Sequence, residues 1–295
     1  KYADGTVALL RDAVAAANTA KELGRNRVYV LESDVELHTR REKLLKWIDK
    51  MNDLLDNDYL VLRAQPICPT SAAASVKHYE ILLGLRDSDG VVNPPGEFIE
   101  AAECYNRMQR VDRWVIARTF SWLSELNEKQ LSLPQLSINL SGNSLNDPTF
   151  LDFLVDQFGN FRVSPHTICF EITETATIKN LTNAADFIQQ VKKIGCSFAL
   201  DDFGTGLSSY EYLKHLPVDY LKIDGMFIVD IDKSPSDYAM VKSINEIAHF
   251  MGKKTIAEFV ESDAIQKALD EIGVDYVLGY HVGQPILLSE VQTDR

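Results

Sequence analysis

The chain has 295 residues, of which 45% are hydrophobic and 25% charged, a composition typical of a globular protein with a sizeable core. Its net charge of −13 argues against a surface that binds nucleic acid polymers, because such a surface needs a basic face. No apolar run approaches the roughly 20 residues that cross a bilayer and no signal peptide opens the chain, so we expect a cytoplasmic protein.

The start of the chain and its cysteines also bear on where the protein is found. The first residue is Lys1 rather than Met, which indicates a fragment of a longer protein, and an upstream segment could anchor that protein in the inner membrane. The four cysteines are scattered without a C-x-x-C pair, which predicts reduced thiols rather than disulfides or a zinc site. They are Cys68, Cys104, Cys169 and Cys196.

Two short units are predicted before the main domain. Residues 1–33 contain an alanine-rich helical pattern, Gly24 as a helix C-cap and a strand-like run from Val28 to Val30, which together are too short for a domain. Residues 34–57 carry apolar side chains at helical spacing among many charges, which predicts a linker helix packed on the domain that follows.

From residue 58 to residue 290, short β-rich runs alternate with helical stretches. Eight such runs predict an α/β fold, a (βα)8 TIM-like barrel, with an open doubly wound sheet as the alternative. Only about ten residues separate the first run from the second, too few for a parallel crossover, so we expect the first strand to be antiparallel to the others. The runs are Tyr59–Ile67, His78–Leu85, Leu136–Leu140, Thr167–Thr173, Ser197–Leu200, Tyr220–Ile223, Thr255–Ala257 and Tyr276–Gly279.

Acidic or amide side chains lie in or just after six of these runs. The carboxyl ends of barrel strands converge on one mouth, where several carboxylates would repel each other strongly unless cations neutralised them. Oxygen ligands select Mg²⁺ or Mn²⁺, and adjacent aspartates suit two ions that activate a water and stabilise a phosphoryl transition state. The residues are Glu80, Asn139, Glu171, Asp201, Asp202, Asp224 and Glu258.

Three further features have a functional and a structural interpretation. The stretch Asp201–Gly206 (DDFGTG) permits a tight loop over a metal site, or it is an ordinary β-α turn. Lys222 lies inside an apolar run, where a lysine is rarely buried unpaired, and beside metals it can orient or deprotonate water. Glu174 either holds a loop or is a helix N-terminal acid favoured by the helix dipole.

These residues resemble a known family. From about Leu60 to Ile286 the chain resembles the EAL domain, which implies metal-dependent hydrolysis of cyclic di-GMP to linear pGpG in bacterial second-messenger signalling. Residues 1–33 resemble the C-terminal tail of a GGDEF (diguanylate cyclase) domain without its signature loop, so we do not expect synthesis of cyclic di-GMP. The motifs, in order, are Gln65-Pro66-Ile67, Tyr79–Leu83, Ile138–Ser141, Glu171–Glu174, Asp201–Ser209, Leu221–Asp224 and Ala257–Glu261.

The resemblance also implies a role for each matching residue. Lys222 and Glu80 are implied in catalysis, and Glu174 as the residue that holds the loop after Asp201. Further expected partners are a second copy of the chain, in a homodimer, and GGDEF or sensory domains upstream in the full-length protein. The implied ligands of two Mg²⁺ or Mn²⁺ ions are Glu80, Asn139, Glu171, Asp201, Asp202 and Glu258, and the implied substrate-binding residues are Gln65, Asp224 and Glu261.

Two positions depart from the family pattern. Gly84 stands where the family has an arginine that holds a ligand phosphate, although Arg86 follows two residues later, and Leu278 replaces a glutamine. Because of these departures, a catalytically weak or inactive receptor module of the same fold that binds cyclic di-GMP is the alternative hypothesis. A different metal-dependent barrel enzyme, such as an enolase-like proton abstractor with Lys222 as its base, is a third hypothesis.

Overall fold

The computed structural model describes Ala13 and residues 34–57, 59–70, 78–204 and 210–292. Apart from Ala13, the unit predicted for residues 1–33 lies outside the described residues, as does the glycine-rich loop at residues 205–209. No helix in the described ranges is both long and apolar enough to cross a membrane. Cys68, Cys104, Cys169 and Cys196 form no disulfide in the described ranges.

The secondary structure alternates between strands and helices along most of the chain. The strands are β1 (Leu60–Pro69), β2 (His78–Arg86), β3 (Val92–Asn93), β4 (Gln135–Leu140), β5 (Ile168–Thr173), β6 (Ser197–Phe203), β7 (Tyr220–Ile223), β8 (Lys254–Ala257), β9 (Tyr276–Leu278) and β10 (Ile286–Leu287). The helices are α1 (Asp34–Asp56), α2 (Gly96–Cys104), α3 (Met108–Glu128), α4 (Gly142–Leu145), α5 (Phe150–Phe161), α6 (Glu174–Lys179), α7 (Leu181–Ile194), α8 (Tyr210–Leu213), α9 (Pro235–Phe250) and α10 (Asp263–Ile272).

Eight of the strands close into a barrel. Strands β2 and β4 to β9 are joined in order by parallel pairing, and β1 closes the ring between β2 and β9 with antiparallel pairing to both. The two short strands β3 and β10 extend β2 and β1 without entering the ring. The predicted TIM-like barrel with an antiparallel first strand is therefore confirmed, and the open sheet is excluded.

The outer helices pack on the barrel through apolar faces. In α7, Ala184, Phe187, Ile188 and Val191 are buried at the spacing of one helical face. The Asn180 side chain accepts a hydrogen bond from the Asn183 amide at the start of this helix, and Gly195 ends it with a left-handed backbone (φ 118°). This helix therefore buries the outer surface of the strands next to it.

The barrel strands are covered on both faces, so a charged side chain inside one of them is buried whichever way it points. In β5 the residues from Ile168 to Ile172 are all buried, because helices cover the outer face and the barrel interior encloses the other. Glu171 is the one charged residue among them and has no exposed surface. A carboxylate in such a position needs a charged or hydrogen-bonding partner.

The predicted helix at residues 34–57 is present as α1, which lies against α2. Its buried residues Met51 and Leu54 belong to a small apolar cluster with Leu60 of β1 and Phe98 of α2. The Trp47 indole N–H donates to a carboxylate oxygen of Glu97, 3.2 Å away. This helix is therefore joined to the barrel by side-chain packing as well as by the chain.

Candidate active site

Lys222 of β7 lies at the centre of the barrel mouth and is only 1% exposed. Its Nζ is 2.6 Å from Glu171, 2.9 Å from Glu258, 3.2 Å from Asp201 and 3.3 Å from Glu80. These four carboxylates come from β5, the end of β8, β6 and β2, so parallel strand ends bring together residues that are far apart in sequence. One ammonium group thus holds four buried acids.

The other two predicted metal ligands join the same cluster. The Asn139 side-chain amide donates to Glu80 at 2.9 Å, which leaves its own oxygen free to act as a ligand. Asp202 offers an oxygen that lies within 4.8 Å of oxygens from Asp201 and Glu258. The structure therefore places all six predicted ligands in one connected group.

A distortion of β6 explains how two consecutive aspartates reach the same site. Successive strand residues point to opposite faces, so a regular strand would turn Asp202 away from Asp201. The pairing of β6 with β7 shifts register between Leu200 and Phe203, and Asp202 has a left-handed backbone with φ 55°. Such a bulge re-aims a side chain, and here it lets both carboxylates face the mouth.

The electrostatics of the cluster follow from burial. Burial, together with the Asp201 and Asp224 charges, raises the pKa of Asp202 to about 6. Burial raises the pKa of Glu258 to about 8 although Lys222 opposes the shift. Burial alone would lower the pKa of Lys222, but its carboxylate neighbours outweigh this and raise it well above the usual value. Lys222 is therefore an ammonium ion that orients oxygen groups rather than a ready base.

The donor set fits a divalent cation. One oxygen of Glu171 is buried without a hydrogen-bond partner, a costly arrangement unless another group binds it. Burial raises the pKa of the Glu171 carboxyl well above its usual value, so a nearby cation would favour its ionised form. The site offers carboxylate and amide oxygens, which are the ligands of Mg²⁺ and Mn²⁺.

Two cavities flank the acidic cluster. The larger, about 780 Å³, is lined by Asn139, Ser141 and Thr173, and by Ile99 of α2. The smaller, about 290 Å³, is lined by Gln65, Glu80, Glu258 and Glu261, and by the exposed aromatic rings of Phe259 and Tyr280. Leu82 lines both cavities. The acidic cluster therefore has one cavity on its Asn139 side and another on the side of Glu80 and Glu258.

The predicted substrate-binding residues have different positions. Gln65 lines the smaller cavity, and its amide donates to the Gly283 carbonyl at 3.0 Å. Glu261 lines the same cavity and is exposed. Asp224 accepts a hydrogen bond from the Met226 amide at 2.8 Å and caps a short 3₁₀ turn, so one of its oxygens has a structural role.

Glu174 combines both of the interpretations that its sequence position allowed. It is the first residue of α6, where a carboxylate is favoured by the helix dipole. Its side chain has no exposed surface, and one oxygen accepts from the Gly204 amide at 3.0 Å. Gly204 follows the two aspartates of β6, so this bond holds the start of the glycine-rich loop.

Sequence reasoning missed one further buried acid near the mouth, outside the cluster around Lys222. Asp112 of α3 accepts hydrogen bonds from the amide and hydroxyl of Ser141 and from the hydroxyl of Ser144. This carboxylate fixes the turn that follows Asn139 of β4. Its place within an amphipathic helix gave no signal, because its partners lie on a different element.

The fold and the site define an α/β barrel with a cluster of carboxylate and amide oxygens, a donor set that suits a divalent cation, at the carboxyl ends of its strands. The chain belongs to the EAL domain family, whose family model matches residues 48–285. It is 39% identical over 277 residues to the cyclic di-GMP phosphodiesterase PdeB of Shewanella oneidensis, an alignment that covers 94% of this chain and 32% of that protein. It is 32% identical over 238 residues to the cyclic di-GMP phosphodiesterase PdeF of Escherichia coli, covering 81% of this chain and 31% of that protein.

Solved structures show the same similarity. The PaMucR phosphodiesterase in complex with c-di-GMP superposes with a TM-score of 0.78 at 25% identity, covering 84% of this chain and 100% of that one. The EAL domain of FimX from Pseudomonas aeruginosa bound to c-di-GMP superposes with a TM-score of 0.74 at 30% identity, covering 81% and 96%. The chain spans about a third of the length of the two curated relatives.

Proposed function

We propose that this EAL domain is a metal-dependent phosphodiesterase that hydrolyses cyclic di-GMP to linear pGpG. The observation that carries the proposal is the complete acidic cluster around Lys222, placed between two cavities at the barrel mouth. The names of the relatives and the ligand in the PaMucR structure support the choice of substrate.

The metal centre of this proposal holds two Mg²⁺ or Mn²⁺ ions. When bound, such ions would supply an activated water and stabilise charge that develops on the phosphoryl group. The short separation of the Asp201, Asp202 and Glu258 oxygens supports a shared site, as does the unpaired oxygen of Glu171. The proposed ligands are Glu80, Asn139, Glu171, Asp201, Asp202 and Glu258.

The chain's own residues then have distinct roles. Lys222 keeps the carboxylates from repelling each other and orients the attacking water by donating a hydrogen bond. Glu174 holds the Gly204 amide, so that Asp201 and Asp202 keep their positions. The proposed substrate-binding residues are Gln65 and Glu261, which line the smaller cavity, and Asp224.

The remaining parts of the chain are assigned by resemblance. We propose that residues 1–33 are the C-terminal remnant of a GGDEF domain, that residues 34–57 link it to the barrel, and that residues 58–290 form the phosphodiesterase domain. The short coverage of the relatives supports further domains in the full-length protein. A homodimer and an upstream membrane anchor stay predictions.

One assay tests the proposal. Purified protein with Mg²⁺ or Mn²⁺ should convert cyclic di-GMP to pGpG, seen as a new peak by ion-pair chromatography. Excess EDTA should stop the reaction, and Ca²⁺ should support it poorly because its looser coordination misplaces the water. Asp201→Asn should abolish turnover, whereas exposed Asp270→Asn, on α10 at the far side of the barrel wall, is the matched control. Turnover that persists in EDTA would contradict the metal mechanism.

A second function, a receptor that binds cyclic di-GMP without cleaving it, is favoured by Gly84 and Leu278. Gly84 brings no side chain to the mouth, and Leu278 places an apolar group on the smaller cavity. Calorimetry with cyclic di-GMP separates the two functions, because a receptor gives a binding isotherm without any pGpG.

A further inference from the structure

Arg63 of β1 faces the barrel interior at the mouth. It is directly opposite Leu82 of β2, and the next pair on the same face is Gln65 opposite Glu80. Because β1 runs antiparallel to β2, Arg63 lies nearer to the mouth than Gln65 does. Its partner Leu82 lines both cavities, so Arg63 lies next to both of them, although its own side chain lines neither.

The stem of Arg63 lies over Gly84. A Cβ atom at position 84 would be 2.6 Å from a methyl of Val92, 3.1 Å from a methyl of Val61 and 3.3 Å from Cδ of Arg63. The space next to Gly84 is therefore already filled by neighbouring side chains. The glycine makes room for the arginine that crosses it from the adjacent strand.

The guanidinium of Arg63 has donors to spare. One Nη donates to the Pro285 carbonyl at 2.8 Å, and Arg63 forms no ion pair with any residue of the described ranges. A guanidinium carries five N–H donors, so four are left for a ligand. In a protein of net charge −13, an arginine at the mouth without a carboxylate partner is well placed to bind an anion.

Two other cations near the mouth are less well placed. Lys222 is occupied by four carboxylates. Arg86 is six residues beyond Glu80 on β2, roughly 20 Å along the strand, whereas the partner of Arg63 is two residues beyond it, roughly 7 Å. Arg86 therefore lies farther out along β2 than Arg63 does, away from Leu82 and the two cavities.

We propose that Arg63 binds the phosphate of the cyclic dinucleotide that is not being cleaved. This inference rests on the proposed substrate, which carries two phosphodiesters. One lies at the metal centre, and the second needs a cation that the acidic cluster does not provide. The bond to Pro285 fixes the guanidinium, and its free N–H groups form charge-assisted hydrogen bonds to phosphate oxygens.

Calorimetry with cyclic di-GMP in Ca²⁺, which suppresses turnover, tests this assignment. Arg63→Met keeps most of the stem and removes the charge, and it should weaken binding by about 10- to 100-fold. Arg63→Lys should recover part of this loss, because an ammonium keeps the charge but not the planar fork. Arg86→Met is the matched control and should change binding less than threefold. Melting curves confirm that each variant is folded.

A second substrate separates this contact from the metal centre. Bis(4-nitrophenyl) phosphate has one phosphate, so Arg63→Met should reduce kcat/KM at least tenfold more for cyclic di-GMP than for this ester, and mainly through KM. A folded Arg63→Met protein with wild-type affinity would overturn the assignment, as would loss of affinity in Arg86→Met instead. Wild-type protein that binds but does not cleave would refute the proposed function alone, and wild-type protein without binding would refute both.

Discussion

The Lys222 ammonium lies 2.6 Å from a carboxylate oxygen of Glu171, and both side chains are almost completely buried. Three more acids share this ammonium, so the charge at the barrel mouth is more negative than one lysine can balance. This excess of buried carboxylate prepares the mouth for divalent cations, and the first prediction follows from it.

Lys222→Met should leave the acidic cluster without its cation. Removing one member of a buried ion pair typically costs about 3–5 kcal/mol of unfolding free energy, so the melting temperature in EDTA should fall sharply. Mg²⁺ should raise the melting temperature of this variant more than that of the wild type, because the ion replaces the lost charge. Exposed Lys242→Met on α9 is the control and should have little effect. If Lys222→Met and the wild type had the same melting temperature in EDTA, Lys222 would not stabilise the acidic cluster.

Glu174→Ala should release the start of the glycine-rich loop. The lost hydrogen bond to the Gly204 amide is buried and charge-assisted, a type worth about 1.5–3 kcal/mol. Hydrogen exchange at Gly204 should therefore become about 10- to 100-fold faster, and turnover should fall because Asp201 and Asp202 lose a fixed neighbour. Unchanged exchange at Gly204, measured by NMR, would show that other contacts hold this loop.

Gly84→Ala should destabilise the fold rather than stabilise it. The new methyl would lie 2.6 Å from a methyl of Val92, so the Val92 side chain or the strands that carry the two residues must shift, and overpacking of this kind costs about 1–3 kcal/mol. The double variant Gly84→Ala/Val92→Ala should recover part of the loss, since it removes the methyl that clashes. Urea unfolding of the three proteins measures this. A more stable Gly84→Ala protein would contradict the close packing of Arg63 and Val92 around Gly84.

Asp112 should make stability depend on pH. Burial raises its pKa to about 6 from an ordinary value of 3.8, although the Ser141 and Ser144 hydrogen bonds oppose the shift. Between these pH values the folded state binds more protons than the unfolded state, so the unfolding free energy falls as pH rises. The contribution is about 2–3 kcal/mol, complete by pH 7.

Asp112→Asn isolates this effect, because every other titrating group is shared with the wild type. The unfolding free energy of the wild type, minus that of the variant, should decrease from pH 4 to pH 6 and then stay level. Urea titrations at four pH values measure the difference. A difference that is constant with pH would mean that Asp112 keeps its ordinary pKa in the folded protein.

The barrel and the clustering of the acids at its strand ends could be predicted because both depend on local pattern. The short interval between β1 and β2 permits only a hairpin, and strand-end acids such as Glu171 stand out against buried apolar neighbours. The contacts of Asp112 and Arg63 could not be predicted. Asp112 accepts hydrogen bonds from Ser141 and Ser144, which lie 29 and 32 residues further along the chain and outside its own helix. Arg63 faces inward only in the observed register, since a shift of one residue would turn it outward.

If this barrel mouth hydrolyses a cyclic dinucleotide with metal-activated water, the oxygen added to the product comes from the solvent. A single-turnover reaction of cyclic di-GMP with excess protein and Mn²⁺ in ¹⁸O-labelled water, followed by mass spectrometry, measures this. We expect linear pGpG that carries one ¹⁸O atom on its terminal phosphate, and no product in EDTA or with Asp201→Asn. Intact cyclic di-GMP after prolonged incubation with folded, Mn²⁺-loaded protein would contradict this expectation.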